Sequence, residues 1–187
     1  MKNLSSHDKL ANRKIVHSFC YDETLRRAYN NPLKYLSKTS GYLAASSFDF
    51  TMDEKMDFAQ ILNATYNNRW SGAFMQSNGR NVFPTVGWVT PSSYDVCFAG
   101  LRDGGVFIIS TLGVNNLLCK KDYLSGYYEM RCRFPLTSII CVGDPVSGMD
   151  SDICYVNYED SFGSWNKHQN WWQPKLINWD MSIPKGV

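Results

Sequence analysis

The sequence lacks the features by which metal centres and membrane spans are usually recognised. Its 187 residues include only three histidines, and its six cysteines form no CxxC pair and do not stand at zinc-ligand spacing from a histidine. It has no run of about 18 apolar residues and no signal-peptide pattern, so we expect a cytoplasmic protein with free thiols and no membrane association. We expect neither a metal nor another cofactor.

Catalytic signatures and a strong net charge are also missing. The sequence has no Walker loop, no dinucleotide-binding fingerprint and no nucleophile elbow. With 19 basic and 17 acidic residues the net charge is +2, so no strong overall field attracts nucleic acid or anionic membranes, although a local basic patch is still possible. These absences favour a protein that binds over one that catalyses.

Aromatic residues, in contrast, are abundant, with 11 Tyr, 10 Phe and 6 Trp. Several of the tryptophans fall after residue 158, among Asn, Gln, Lys and Pro and without a regular period. This tail is too aromatic for a disordered linker. We predict that it packs on the core or presents a partner-binding surface that includes Trp165, Trp171 and Trp172. The predicted organisation is a polar N-terminal extension over residues 1–40, a core domain over 41–158 and the Trp-rich tail over 159–187.

Three short apolar runs organise the core, at residues 82–86, 106–109 and 138–142. The second and third are continuously apolar, as is typical of strands covered on both faces in an α/β sheet. The first contains Pro84, which cannot donate to a strand ladder and therefore predicts an edge strand or an irregular one. Further strands are predicted at residues 41–50 and 153–158, and a short helix at residues 21–29.

Amphipathic segments separate these strands, and the longest is predicted to run from Thr51 to Asn78-Gly79. Thr51 and Glu54 match a capping box at its start, and asparagine or glycine is a common helix stop. An apolar stripe at spacings of three and four is expected to cover the sheet; its members are Met52, Met56, Ala59, Leu62, Tyr66, Trp70, Ala73 and Phe74. The alternation of strands and helices predicts a single α/β domain, with a mainly parallel sheet of about five strands flanked by helices.

Polar side chains follow the ends of these strands. In open α/β sheets ligands bind beyond the carboxyl ends of the strands, so we expect a candidate site there. Its predicted members are Asp49, Trp88, Ser110, Thr111, Asn115 and Asp144. The alternative is that the strands simply end in residues that favour turns, which Ser, Thr, Gly and Asp do. Asp49 and Asp144 could also form a carboxylate pair for acid–base or metal-assisted chemistry.

Several segments resemble, in this order, the family of phage and bacterial proteins known as domain of unknown function 4417. They are residues 48–50 (Phe-Asp-Phe), 81–88 (Asn-Val-Phe-Pro-Thr-Val-Gly-Trp), 93–101, 106–113 and 139–145. The resemblance covers roughly residues 44–158. It implies an α/β core and a phage or mobile-element setting, and it supplies no catalytic residue. Gly113-Val114 departs from the family pattern, in which a polar residue or cysteine follows the glycine.

The leading hypothesis is an accessory protein of a phage or mobile element that binds nucleic acid or a host nucleoprotein or defence complex. One alternative is a metal-dependent phosphoester hydrolase that uses the strand-end carboxylates. Another is a protein that sequesters a small ligand or nucleotide, which requires a concave pocket without catalytic geometry.

Overall fold

A computed structural model describes residues 8–114 and 116–158 of the chain. Its strands are β1 (Ile15–Val16), β2 (Ala44–Ser46), β3 (Val82–Phe83), β4 (Val106–Ser110), β5 (Ser138–Val142) and β6 (Cys154–Val156). Its helices are α1 (Asp22–Tyr29), α2 (Pro32–Thr39), α3 (Phe58–Ser77), α4 (Tyr94–Cys97) and α5 (Leu117–Arg133). In the described ranges, no helix is long and apolar enough to cross a membrane.

The strands form two parallel sheets of three strands each, in the orders β1-β2-β3 and β4-β5-β6. The predicted α/β class and parallel pairing are confirmed, whereas the expectation of one sheet of about five strands differs from this division. Pro84 is the physical reason, because it has no N–H to donate and the strand predicted over residues 82–86 ends before it, at Phe83. A single parallel bridge, Thr85 to Ile108, still links the two sheets, with the amides of Val86 and Ile108 each donating across it at 2.9 Å.

The six strands curve strongly. In a flat sheet, five spacings of about 4.8 Å would separate β1 from β6 by about 24 Å. The ring of His17, next to β1, nevertheless lies 6.5 Å from that of Tyr158, close after β6. One apolar cluster also joins Ile108 and Ile140 to residues of β1, β3 and β6. The sheet therefore curls as in a barrel, with this cluster on its concave face.

The helices pack on the convex face in two larger clusters. One cluster surrounds Leu25 and Met75 over β1 and β2, and the other surrounds Tyr127 and Phe107 over β4 and β5. In β/α barrels, which share this arrangement of helices outside a parallel sheet, ligands bind at the carboxyl ends of the strands.

Residues 8–40 contribute to the fold, where the sequence predicts a polar extension. Val16 lies in β1, Leu25 is fully buried and Tyr35 is nearly so. The predicted helix at residues 21–29 is confirmed as α1. Pro32 occupies the first turn of α2, because the missing N–H of proline costs nothing at that position.

The prediction for α3 is wrong at its start and on its inward face. Its N-cap is Asp57, which forms a reciprocal capping box with Gln60, rather than Thr51. The predicted end is confirmed, since Asn78 is the C-cap and Gly79 has a φ of +77°. The residues that face the sheet are Ile61, Ala64, Thr65, Asn68, Ser71, Gly72 and Met75, whereas Leu62 and Tyr66 of the predicted stripe are exposed.

Candidate functional site

The carboxyl ends of β1, β2 and β3 meet in a buried network of polar side chains. The hydroxyl oxygens of Ser18 and Ser46 are 2.8 Å apart. Ser47 Oγ accepts from the Thr85 amide at 2.8 Å and donates to Asn68 Oδ1 at 2.9 Å. Asn68 in turn donates to the Thr85 carbonyl at 3.1 Å. These side chains replace the backbone ladder that ends near Pro84, so buried main-chain groups keep their partners.

Asp49 lies directly beyond β2, beside this network. Its amide donates to Ser18 Oγ at 3.1 Å. Asp49 also lines a small cleft together with Asn68, Arg69 and Thr85, with room for about one water molecule. Burial, with a further contribution from the nearby Asp22, raises the pKa of the Asp49 carboxyl to about 7. A carboxyl group with this pKa can both accept and donate a proton near neutral pH.

Arg69 closes the other side of the cleft. Its guanidinium donates to the carbonyl oxygens of Cys97 at 2.6 Å and Ala99 at 2.8 Å, and to Asn68 Oδ1 at 2.6 Å. Burial lowers its pKa to about 10, so it remains a cation at neutral pH. The contacts tie the C-terminal end of α4 to the polar network, which makes Arg69 a positioning residue for the cleft.

A second cluster of polar side chains lies at the carboxyl ends of β4 and β5. Ser110 Oγ donates to the Val142 carbonyl at 3.0 Å, and Thr111 Oγ1 donates to the Asp144 carbonyl at 2.8 Å. Gly143, between them, has a φ of +121° and leaves no room for a side chain beside Thr111. The two hydroxyl groups therefore hold neighbouring loops together, and the carboxyl group of Asp144 is exposed.

Trp88 turns toward the helix layer. Its indole Nε1 donates to the Tyr123 carbonyl at 3.0 Å, and its ring lies 5.0 Å from that of Tyr123. This places Trp88 at the margin of the cluster between the sheet and α5, where it has a packing role.

The structure thus brings some of the sequence-predicted residues together. Ser110 and Thr111 lie beside the backbone at Asp144. Asp49 instead belongs to the polar network at the ends of β1, β2 and β3. Besides burial, the acidic residue that raises its pKa is Asp22. Across residues 8–114 and 116–158, no group of three or more His, Cys, Asp or Glu is arranged to hold a metal ion. Asn115, Trp165, Trp171 and Trp172 lie outside the described residues.

Sequence reasoning missed Ser18, Asn68 and Arg69. A signal was present, because Asn67-Asn68-Arg69 interrupts the apolar pattern in the middle of α3. A buried polar side chain in the middle of a helix needs a partner, and in this fold the ends of β2 and β3 supply it.

The same edge carries exposed apolar side chains. Leu117 and Leu118, in the first turn of α5, are 86% and 73% exposed, and Leu112 in the preceding loop is also exposed. Tyr21, in the loop between β1 and α1, is exposed as well. Residues 117–122 are all exposed, so α5 begins as a projection beyond the carboxyl edge of the sheet.

The fold and this edge define an α/β protein with a curved parallel sheet and a partly apolar carboxyl edge. The family model described as Domain of unknown function (DUF4417) matches residues 2–159, and the chain belongs to this family. The match extends over the N-terminal forty residues, which the sequence resemblance had left out.

Two relatives are phage proteins. The chain is 28% identical over 172 residues to a "Gene 1 protein" of Mycobacterium phage L5, across 90% of this chain and 74% of that protein. It is 33% identical over 101 residues to a "Gene 1 protein" of Mycobacterium phage D29, across 54% of this chain and only 37% of that protein. No solved structure matches the chain.

Proposed function

We propose that the chain is a cytoplasmic accessory protein of a phage or mobile element that binds nucleic acid or a host nucleoprotein or defence complex. Its similarity to two phage proteins supports the setting. The mode of action rests on the carboxyl edge of the sheet, where large apolar side chains face solvent.

The observation that carries the proposal is the projecting start of α5. Leu117 and Leu118 are among the most exposed large apolar side chains of the described residues. Lys120 and Lys121 follow within the same exposed segment. Leucines would bury their surface against a protein, and the lysines would neutralise phosphates, a combination that suits a nucleoprotein complex.

The Trp-rich tail adds to this proposed surface. Residue 159 follows Tyr158, whose ring is close to His17 at the carboxyl edge. We include Trp165, Trp171 and Trp172 of this tail in the proposed partner-binding surface. Aromatic side chains are enriched among the residues that dominate binding energy at interfaces.

A capture experiment with matched variants tests this function. Immobilised full-length chain would be exposed to host lysate, with and without nuclease, and compared with the double variant Leu117→Asp/Leu118→Asp. The control is Leu136→Asp, since Leu136 is 78% exposed but precedes β5 at the opposite, amino end of the sheet. We expect the double variant alone to lose its captured partner, and nuclease treatment to distinguish a nucleic-acid bridge from a protein contact. Equal capture by all three proteins, or none by the native chain, would contradict the proposal.

A phosphoester hydrolase is the second candidate, and the Asp49 carboxyl with its pKa near 7 favours it. The supporting geometry is the cleft between Asp49 and Arg69. Incubation with single- and double-stranded DNA and RNA in the presence of Mg²⁺ or Mn²⁺ tests it, with Asp49→Asn and Asp144→Asn as the paired variants. Hydrolysis that Asp49→Asn abolishes and Asp144→Asn leaves intact is expected. The absence of hydrolysis by the native chain refutes this candidate.

A further inference from the structure

The outer face of α3 carries a row of large apolar side chains, three of which are about half exposed to solvent. Phe58, Leu62 and Tyr66 are 57%, 49% and 59% exposed and stand four residues apart, so they form one row along the helix surface. The row continues into Trp70 and Phe74, which are half-buried. We call these five residues the α3 ridge.

Packing of the domain itself does not require this row to be apolar. The sheet is covered by the opposite face of α3, where Ser71 Oγ accepts from the Phe48 amide at 2.9 Å and a Cβ at Gly72 would already be in contact with Ser47. The helix therefore turns its smaller and more polar side inward and its aromatic side outward. Single exposed apolar residues are ordinary, but a row over four turns marks an interaction surface.

The ridge is also held rigid. Its C-terminal half is fixed by the Trp70 ring, which stacks on Phe74 at 5.3 Å and lies 4.6 Å from Tyr29. Its N-terminal end is fixed by the capping box of Asp57 and Gln60. A rigid apolar row loses little conformational entropy when it is covered, which favours association.

The charges at the two ends of α3 are complementary. The amino end has a net negative charge, from the exposed residues Asp53, Glu54, Lys55 and Asp57. At the carboxyl end, Arg80 donates to the carbonyl oxygens of Thr39 at 2.6 Å and Tyr42 at 2.8 Å, next to the last turn of α2 with its exposed Lys38. An antiparallel pair of α3 helices would place each acidic end against a basic end, twice.

We propose that the α3 ridge is the interface between two copies of this chain, related by a twofold axis near Tyr66. In such an interface the same patch serves both copies, so Leu62 faces Trp70 across the axis. The row winds around the helix by about 40° per step, so Phe58 and Phe74 lie at the flanks of the contact and Leu62, Tyr66 and Trp70 form its centre. Rows with a spacing of four residues interdigitate in the commonest class of helix packing. The ridge spans 17 residues, or about 24 Å at 1.5 Å per residue, which suits a small interface with concentration-dependent assembly.

Sedimentation velocity of the full chain from about 1 to 100 µM tests the proposal, a range in which an interface of this size is expected to titrate. We expect the mass to rise with concentration from the monomer value of 21.4 kDa to twice that value. Leu62→Asp places two carboxylates in the interface and is expected to raise the dissociation constant at least about 100-fold. Leu136→Asp, an equally drastic change at the amino end of the sheet, should leave it unchanged. Circular dichroism verifies that both variants are folded.

A charge exchange tests the antiparallel arrangement. Lys38→Glu alone and Glu54→Lys alone should each weaken the dimer at low salt, and the two changes together should restore it. A native chain that stays monomeric at 100 µM overturns the proposal. A dimer that persists in Leu62→Asp overturns the proposal as well.

Discussion

Gly126 provides a sharp test of how α5 packs on the sheet. It is buried in the middle of α5, and the Trp88 ring lies against it. A Cβ built on Gly126 would stand 2.5 Å from Trp88 Cγ and closer still to Cδ1 and Nε1, which no pair of nonbonded atoms tolerates. The indole must therefore move if any side chain is introduced.

Gly126→Ala is expected to destabilise the protein by about 1 to 3 kcal/mol. In an open helix the same substitution would stabilise by about 1 kcal/mol, because glycine is the poorer helix former. Here overpacking costs about 1 to 3 kcal/mol. Displacing the ring also breaks the hydrogen bond from Trp88 Nε1 to the Tyr123 carbonyl, which contributes about 1 kcal/mol. The clash and the lost hydrogen bond together outweigh the gain in propensity.

Urea unfolding monitored by circular dichroism measures this difference, provided that the slope of the transition is unchanged. The decisive comparison is the double-mutant cycle with Trp88→Ala. In that background the ring is gone, and Gly126→Ala should become stabilising by about 1 kcal/mol. A stabilising Gly126→Ala in the native background would refute the packing of Trp88 on α5. Equal destabilisation in both backgrounds would show that the cost does not come from the ring.

Two further predictions concern the carboxyl edge. Burial raises the folded-state pKa of Asp49 from the usual 3.8 to about 7. The native state therefore retains a proton that the unfolded state releases, and stability falls as pH rises from about 4 to 7. Asp49→Asn should remove this decline and be more stable than the native chain at pH 8 by about 1 to 3 kcal/mol. Urea unfolding across pH 4 to 8 measures the difference. The half-buried His17, whose pKa is lowered to about 4 by desolvation, has the opposite effect on stability, but it acts equally on both proteins and cancels in the comparison. Gly143→Ala should cost more than about 2 kcal/mol in thermal or urea unfolding, because its Cβ would collide with Thr111 Oγ1, whereas Gly104→Ala, with φ +80° and open space around it, should cost only about 1 kcal/mol. Identical losses for the two glycines would contradict the close contact between the β4 and β5 loops.

The elements that could be predicted accurately from the sequence are strands whose side chains are buried on both faces. β5 has the predicted bounds, and β4 extends the predicted run by one residue to Ser110, because both strands are apolar on both faces. Irregular elements were predicted less well. The strand predicted over residues 41–50 has only three residues, Ala44–Ser46, and α5 begins at Leu117. Its cap is Asn116, which accepts from the Cys119 amide at 2.9 Å.

The candidate site was predictable only in outline, as the carboxyl edge of a parallel sheet. Strand position predicts that Ser110, Thr111 and Asp49 lie at the carboxyl edge of the sheet, but it does not determine where their side chains point. Trp88 shows the difference, since it also follows a strand and yet packs on α5. The partners of Asp49 could not be found in this way, because Asn68 and Arg69 come from the middle of a helix rather than from a strand end.

The orientation of α3 shows why a periodic pattern is insufficient. Its residues contain an apolar row and, on the other side, a row with Asn68 and Ser71, and periodicity alone favours burial of the apolar row. The fold buries the polar row because Pro84 shortens β3 and leaves the backbone near Ser47 and Thr85 in need of hydrogen-bond partners. An unpaired buried backbone group costs about 1 to 3 kcal/mol, comparable with the gain from burying one apolar side chain. Several such groups therefore decide which face of α3 meets the sheet, and the apolar row that remains outside is then available to a second chain.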